Sequence, residues 1–295
     1  MPAEFIDDKA PICIPFILDR LKTHHQQTSS SSSHNSHRPF IVGLNGLQGV
    51  GKTTLVALLT AALESRDIPT LVCSIDDFYL THDDQVALAR DNPDNALWQH
   101  RGEPGTHDIP LAKSFFTSLL TNSNSNSSSS PSPTSSSPLL LPQYDKAAFS
   151  GQVIILEGWC VGFRPLAPSR LQAKHQAPSR TLRNHRLEHL LLVNEKLGEY
   201  DALTDLFDAF IHIDSEDVEY VYDWRLEQEE HLREIRGDPN AGMSKAQVIK
   251  FVDAYFPGYE LYTEGVRNGL LLNHPGSQLR LVVGRDRKVK QVVEI

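Results

Sequence analysis

Residues 46–53 have the types and spacing of a loop that holds a polyphosphate. They read Gly46-Leu47-Gln48-Gly49-Val50-Gly51-Lys52-Thr53 and fit the pattern G-x-x-x-x-G-K-S/T. Glycines allow backbone N–H groups to come close to phosphate oxygens, the Lys52 ammonium can reach the β- and γ-phosphates, and the Thr53 hydroxyl can ligate Mg²⁺. An apolar run precedes the loop and a helical pattern begins at Thr54. The stretch therefore predicts that residues 46–54 bind a nucleoside triphosphate.

Carboxylates that follow other apolar runs could take part in phosphoryl transfer. Moving a phosphoryl group to an alcohol requires a group that accepts the alcohol's proton. Asp76 follows the run at 69–75 and is the candidate base, with Asp77 as a rival because the sequence does not decide which carboxylate points inward. Glu157 ends another apolar run and is a candidate Mg²⁺ ligand beside Thr53. The ordinary alternative for Asp76 is a capping or ion-pairing acid in a loop, and for Glu157 it is an acid at a strand end without a role.

Two further stretches carry charges suited to a substrate or to phosphate. Residues 101–108, Arg-Gly-Glu-Pro-Gly-Thr-His-Asp, could bind a small anionic or polyol substrate, or could be an ordinary turn before a helix. Arg225 lies on a polar predicted helix and could fold over the phosphates as a lid arginine, or could simply face solvent. His100, His107 and His212 have no metal-ligand spacing, so we assign them no metal.

The elements that must position these residues alternate between strand and helix. Apolar runs predict strands at 40–44, 69–75, 152–156, 209–213, 270–273, 279–283 and 289–295. Helical patterns occur at 12–21, 52–65, 109–120, 189–200, 217–235 and from 245 to about 255. Strands that are apolar throughout predict a parallel sheet covered by helices on both faces. Ligands of such sheets bind beyond the carboxyl ends of the strands, so the phosphate loop, Asp76 and Glu157 should meet at one edge.

Composition excludes several classes of function. The net charge of −9 argues against a nucleic-acid surface, and no apolar run is long enough to span a membrane. Cys13, Cys73 and Cys160 have no disulfide or metal spacing and should be reduced thiols. The acidic N-terminus is untypical of a signal or transit peptide, so a cytoplasmic location is expected, with the nucleus as an alternative. The sequence does not determine the oligomeric state.

Several further motifs occur in an order that resembles the D-glycerate 3-kinase family. This group includes plant-type glycerate kinases and fungal ATP-binding kinase-like proteins, and belongs with the uridine kinases, phosphoribulokinases and bacterial-type pantothenate kinases. The likeness covers about residues 39–295, apart from the low-complexity tract. Its motifs are Asp76-Asp77-Phe78-Tyr79, Arg101-Gly102, Gly105-Thr106-His107-Asp108, Tyr144-Asp145-Lys146, Leu156-Glu157-Gly158-Trp159-Cys160-Val161-Gly162-Phe163, Tyr200-Asp201, Tyr222-Asp223-Trp224-Arg225-Leu226-Glu227-Gln228 and Val283-Gly284-Arg285-Asp286.

The resemblance implies a three-layer P-loop NTPase kinase fold with a parallel central sheet. It also implies transfer of the ATP γ-phosphate, with Mg²⁺, to a hydroxyl of a small molecule, and D-glycerate is the favoured acceptor. The implied catalytic residues are Lys52, Asp76, Glu157 and Arg225, while Arg285 matches the part near the adenine. The implied substrate residues are Asp77, Tyr79, Arg101, His107, Asp108, Tyr144, Asp145 and Lys146.

The composition along the chain and this resemblance together predict one main unit. Residues 1–38 should form an N-terminal helix and a Ser-rich flexible link, and residues 39–295 the P-loop kinase domain. A low-complexity insertion is expected at 121–138, and an insertion or a lid at 164–189, where no clear periodicity is found.

One departure from the family keeps two alternatives open. Relatives carry a basic segment between the Tyr-Asp-Lys motif and the Glu-Gly-Trp strand, whereas residues 149–152 here run directly into Val153. An acceptor that depends on this segment would bind weakly or differently. The chain could therefore phosphorylate another alcohol (a nucleoside, a pantothenate-like compound or a sugar), or could bind ATP as a non-catalytic regulator.

Overall fold

The central sheet consists mainly of strands that are buried along their length. A computed structural model describes residues 7–30, 38–122 and 152–295. Its strands are β1 (Phe40–Gly46), β2 (Thr70–Ser74), β3 (Val153–Gly158), β4 (Ala209–Ser215), β5 (Gln278–Val283) and β6 (Val289–Glu294). Every residue of β1 and β4 is buried, because both faces of the sheet are covered by helices.

The strand order is β2-β3-β1-β4-β5-β6. The neighbouring strands in the series β2-β3-β1-β4-β5 are parallel to each other. Strand β6 runs antiparallel to β5 at one edge of the sheet. A turn at 284–288 joins β5 to β6. The prediction of an α/β fold with a mainly parallel sheet is confirmed. Because β1 and β2 flank β3, their carboxyl ends lie side by side.

Helices surround this sheet and complete its hydrophobic core. Helix α1 (Ala10–Ser30) packs against α2 (Lys52–Glu64), and α8 (Tyr220–Arg236) packs against α9 (Lys245–Arg267). Three residues of α1 are buried in the same core as the sheet, namely Cys13, Ile17 and Leu21. None of the helices in the described ranges is both long enough and apolar enough to cross a lipid bilayer. The helices are α1 (Ala10–Ser30), α2 (Lys52–Glu64), α3 (His82–Asp91), α4 (Ile109–Asn122), α5 (Pro168–Gln176), α6 (Leu187–Leu197), α7 (Asp201–Thr204), α8 (Tyr220–Arg236) and α9 (Lys245–Arg267).

The strand predicted at 270–273 is wrong. These residues lie in a turn region between α9 and β5, and the side chain of Leu272 is 79% exposed. Pro275 and Gly276 follow and favour a turn, so the apolar residues 270–272 do not extend into a strand of the sheet.

The sequence patterns also missed α3 and the helix within 164–189. Helix α3 has no buried residue, and α5, which is the helix within 164–189, buries only Leu171. Neither helix therefore shows the apolar stripe on which helix prediction depends. The expected flexible link and most of the low-complexity insertion lie outside the described residues, and the boundary at residue 38 stays a prediction.

Candidate active site

The phosphate loop joins β1 to α2 with a backbone that requires glycine. Gly49 and Gly51 have φ of 79° and 99°, in the left-handed region that other residues rarely adopt. Gly51 is the N-cap of α2, and no side chain in the described part of the protein caps this helix. Its first N–H groups are therefore free to bind an anion, and the helix dipole favours negative charge there.

The Lys52 side chain folds back onto the backbone of the phosphate loop. Its Nζ donates hydrogen bonds to the carbonyl oxygens of Gly46 at 2.9 Å and Leu47 at 3.2 Å. Burial lowers the pKa of this ammonium group, while the nearby Glu157 and Asp76 carboxylates oppose that shift. Carbonyl oxygens are weak partners for an ammonium, so a phosphate could replace them.

The carboxyl ends of β2, β3 and β1 bring the expected site residues together. Leu44 of β1 and Ser74 of β2 both pair with Glu157 of β3. Asn45 fixes the exit of β3, because its Nδ2 donates to the carbonyl oxygens of Trp159 at 2.9 Å and Val161 at 2.8 Å. The phosphate loop, Asp76 and Glu157 thus share one edge of the sheet.

The structure separates the roles of Asp76 and Asp77. The backbone N–H of Ser74 donates to Asp77 Oδ2 at 2.9 Å, so Asp77 caps the short 3₁₀ turn Ile75–Phe78. Asp76 Oδ1 instead lies 3.9 Å from Nε2 of His107. Burial raises the pKa of Asp76, but the hydrogen-bonding groups of His107 and Tyr79 and the charge of Lys52 outweigh it and hold the pKa below its usual value. Asp76 is therefore the ionised, available carboxylate.

The segment 101–108 is tied to the end of β2. Leu80 N–H donates to the Thr106 carbonyl at 2.9 Å, Asp108 N–H donates to the Phe78 carbonyl at 2.7 Å, and Tyr79 forms a β-bridge with His107. The two rings of that bridge stack with centroids 4.5 Å apart. Asp108 Oδ1 accepts from Leu111 N–H at 2.8 Å, so this carboxylate serves the start of α4.

His107 is held firmly beneath Asp76. Its Nδ1 lies 2.7 Å from the Tyr200 hydroxyl, and its side chain is fully buried. Burial lowers the pKa of His107, and Asp76 opposes this shift. A neutral imidazole that accepts the Tyr200 hydroxyl hydrogen at Nδ1 carries its own hydrogen on Nε2. This Nε2 faces Asp76 at 3.9 Å, and it has no hydrogen-bond partner among the residues that the structure describes. His107 is thus placed to orient the Asp76 carboxylate.

Thr53 and Glu157 fit the ligands that Mg²⁺ requires. Thr53 is exposed at the first turn of α2, and Glu157 is partly exposed on the neighbouring strand end. The pKa of Glu157 lies above its usual value, because burial raises it by more than the charge of Lys52 lowers it. Within the described ranges no group of three or more His, Cys, Asp or Glu side chains could hold a metal ion. Mg²⁺ needs no such group, since it is usually bound by one or two protein oxygens together with substrate phosphates and water.

Helix α8 contacts the phosphate loop through Trp224. A Cβ on Gly49 would lie 2.8 Å from Trp224 Cβ, so only glycine fits beneath this helix. Trp224 Nε1 donates to the Arg285 carbonyl at 2.7 Å, and Arg287 Nε donates to the Gly49 carbonyl at 2.8 Å. The turn after β5 is thereby fastened to both the helix and the loop.

The predicted site arginines of this region are engaged in ion pairs. Arg225 Nη2 binds the buried Glu229 one turn along α8, at 2.5 Å. Arg285 is exposed and pairs with Asp223 at 2.9 Å. Their proposed contacts with nucleotide remain predictions. No sequence pattern indicated that Trp224 or Arg287 would contact the loop, because only the fold brings them to Gly49.

Tyr144, Asp145 and Lys146 lie outside the described residues. The remaining substrate candidate, Arg101, lies over the ring of Tyr79, with its guanidinium carbon 5.1 Å from the ring centroid. The predicted substrate residues Tyr79, Arg101 and His107 are therefore brought together beside Asp76.

Comparison with known proteins finds similarity along most of the chain. No protein-family model matches it. The chain is 35% identical over 255 residues to the uncharacterized kinase mug58 of Schizosaccharomyces pombe, covering 80% of this chain and 85% of that protein. It is 33% identical over 242 residues to the chloroplastic D-glycerate 3-kinase of Arabidopsis thaliana, covering 76% of this chain and 48% of that protein. The solved D-glycerate 3-kinase of Cryptococcus neoformans has a TM-score of 0.79 and 30% identity, covering 98% of this chain and 100% of that one.

Proposed function

Because the chain belongs to the family of D-glycerate 3-kinases and related fungal kinases, we propose that it is an ATP-dependent phosphotransferase whose favoured acceptor is D-glycerate. Two of the relatives named above are D-glycerate 3-kinases. The observation that carries the proposal is the position of Asp76, which lies at the same sheet edge as the free N-terminus of α2. A phosphate chain held there would present its last phosphorus near a carboxylate base.

The reaction follows from this arrangement. A hydroxyl oxygen of the acceptor attacks the γ-phosphorus, its proton passes to Asp76, and the bond between that phosphorus and the β–γ bridging oxygen breaks to release ADP. Lys52 and the first N–H groups of α2 stabilise the charge on the phosphates. His107 keeps Asp76 oriented and ionised.

The other site assignments belong to the same proposal. We assign Mg²⁺ to Thr53 and Glu157, and this ion would neutralise charge on the β- and γ-phosphates. Arg225 would release Glu229 and turn toward the phosphates when nucleotide binds, and Arg285 would lie near the adenine. The acceptor would be bound by the tethered loop of residues 101–108, by Tyr79, and by Tyr144, Asp145 and Lys146, whereas Asp77 would keep its capping role.

A screen for acceptor-dependent ADP release tests the proposal. The protein would be incubated with Mg·ATP and, separately, D-glycerate, other hydroxy acids, nucleosides, pantothenate and sugars. We expect ADP to form with D-glycerate well above the rate without acceptor. Selective turnover with a nucleoside or sugar would move the chain to the alternative kinase activity, and tight ATP binding with no turnover on any alcohol would identify a non-catalytic regulator.

A further inference from the structure

A cavity of about 770 Å³ lies between residues 96–103 and helix α9. Its size falls within the range of small-molecule sites in proteins, about 300–1,000 Å³. Apolar side chains form much of its wall, among them Leu97, Phe251 and Tyr255. Arg101, Glu103 and Lys250 also line it. The cavity thus combines an apolar wall with a few charged groups, as ligand sites commonly do.

A series of side-chain contacts that begins at Arg101 connects the cavity to the candidate base. Arg101 lines it and also covers the ring of Tyr79, at 5.1 Å from the centroid. Tyr79 stacks on His107, which lies 3.9 Å from Asp76. Tyr255, on the opposite wall, donates its hydroxyl hydrogen to the Arg101 carbonyl at 3.2 Å. A molecule in the cavity could therefore extend a hydroxyl past Arg101 toward Asp76.

Two cations of the cavity have no carboxylate partner. Neither Arg101 nor Lys250 forms an ion pair with any residue in the described ranges. Arginines elsewhere near the site do pair, as Arg225 does with Glu229 and Arg287 with Glu227. Asp253 lines the cavity too, but its Oδ1 accepts from the Tyr222 hydroxyl at 2.5 Å. Unpaired cations around a cavity favour an anionic ligand.

Glu103 adds a second kind of recognition. It is only 3% exposed, and its Oε1 has no hydrogen-bond partner among the residues that the structure describes. Burial raises the pKa of this carboxyl well above its usual value, which favours its protonated form, and that form can donate a hydrogen bond. A buried polar group without a partner is costly, which a hydroxyl of a bound ligand would relieve.

We propose that this cavity binds the acceptor, with Lys250 and Arg101 holding its acid group and Glu103 hydrogen-bonding one of its hydroxyls. The inference rests on the proposed kinase function and extends it to a wall, on α9, that no sequence motif indicated. It defines the acceptor class as small hydroxy acids rather than neutral polyols. The cations also offer a substitute for the basic segment that the chain lacks after residue 149.

The matched variants Lys250→Met and Lys245→Met test the inference. Both lysines are exposed on α9, but only Lys250 lines the cavity. We expect Lys250→Met to raise the KM for D-glycerate about 10- to 100-fold, as for a lost charge-assisted hydrogen bond. The KM for ATP and the Tm should stay at the wild-type values, Lys245→Met should behave as wild type, and Lys250→Arg should restore most of the D-glycerate affinity.

Glycerol as a neutral acceptor checks the class of ligand. Wild type should prefer D-glycerate to glycerol in kcat/KM, and Lys250→Met should reduce this preference by the same factor as it raises the KM for D-glycerate. An unchanged KM for D-glycerate in Lys250→Met, or an equal preference for glycerol in wild type, would overturn the inference while leaving the kinase intact. No acceptor-dependent ADP from wild type would instead refute the proposed function itself.

A second pair of variants tests Glu103. Glu103→Gln keeps the shape and can still donate, so its KM for D-glycerate should stay within about 3-fold of wild type, whereas Glu103→Leu should raise it about 10-fold. Equal D-glycerate KM values in the two variants, both with wild-type Tm, would remove Glu103 from the acceptor site.

Discussion

The proposed phosphate side and the proposed acceptor side of this site are built in different ways. On the phosphate side, the continuous stretch from Gly46 to Thr54 supplies backbone N–H groups, and its shape is fixed by two glycines. On the acceptor side, side chains come from the end of β2, from residues 101–107 and from α9. A phosphate is common to every nucleotide, so a backbone loop suffices, whereas an acceptor must be distinguished by side chains.

Helix α9 connects the two sides. The Gln48 N–H donates to the Tyr259 hydroxyl at 3.3 Å, which links the helix to the phosphate loop. One turn earlier, Tyr255 contacts residue 101 by its hydroxyl. Trp159 packs edge-on against both tyrosine rings, with centroids 5.2 and 5.4 Å away. The two sides thus share a rigid support while keeping separate binding groups, and substitutions should affect them separately.

The largest effect is expected on the phosphate side, from Lys52→Ala. This change removes a cation that stabilises the transferred phosphoryl group and also binds the ground state, so we expect kcat/KM for ATP to fall by about 10⁴-fold. Steady-state kinetics and calorimetric titration of Mg·ATP measure the two contributions. Lys113→Ala, an exposed lysine on α4, is the matched control and should behave as wild type. A normal rate in Lys52→Ala would remove the phosphate-loop assignment.

The next effect separates the two neighbouring aspartates. Asp76→Asn should lower kcat by about 10²–10⁴-fold with little change in ATP affinity, because the proton acceptor is lost. Asp77→Asn should change mainly stability, by about 1 kcal/mol, since this side chain caps the 3₁₀ turn. Kinetics together with urea unfolding of both variants distinguish these outcomes. The reverse result, with kcat lost in Asp77→Asn alone, would exchange their roles.

A smaller effect is expected for the metal assignment. Glu157→Gln keeps the shape but removes the negative charge, so we expect the Mg²⁺ concentration for half-maximal activity to rise about tenfold. Activity measured against free Mg²⁺ at fixed ATP gives this value, and chelation of the metal should abolish activity in both proteins. If the Mg²⁺ dependence of Glu157→Gln matches wild type, the carboxylate does not assist metal binding.

The smallest effect is expected on the pH profile of activity, from a change at His107. His107 helps to hold the pKa of Asp76 below its usual value. In His107→Gln that pKa rises, so the carboxylate becomes protonated at a higher pH. The acid limb of kcat/KM for the acceptor should accordingly move to higher pH, with little change above neutrality. His231→Gln, an exposed histidine on α8, is the control. An unshifted acid limb in a folded His107→Gln protein would show that this histidine does not tune the base.

The placement of the proposed phosphate-side residues at one edge of the sheet could be predicted from the sequence because its information is local. The loop motif is contiguous, and the rule that ligands lie beyond the carboxyl ends of parallel strands placed Asp76 and Glu157 beside it. The capping role of Asp77 was also readable, since Ser74 three residues earlier forms a capping box with it. We considered capping for Asp76 and treated Asp77 only as its rival for the role of base.

The acceptor wall could not be predicted in the same way. Lys250, Phe251 and Tyr255 have the spacing of an ordinary amphipathic helix, and they follow Arg101 by about 150 residues in the chain. Only the packing of α9 against residues 96–103 makes them parts of one cavity. Helix α3 was missed for a related reason, because its cap at Thr81 is clear but none of its side chains is buried.

Transfer of a labelled γ-phosphate tests the central claim most directly. The protein would be given Mg·ATP labelled in the γ-phosphate together with D-glycerate, and the fate of the label would be followed over time. The account predicts that the label appears in phosphoglycerate in equal amounts with ADP, and that both products vanish in Lys52→Ala. Label found only in inorganic phosphate, at a rate independent of D-glycerate, would contradict it.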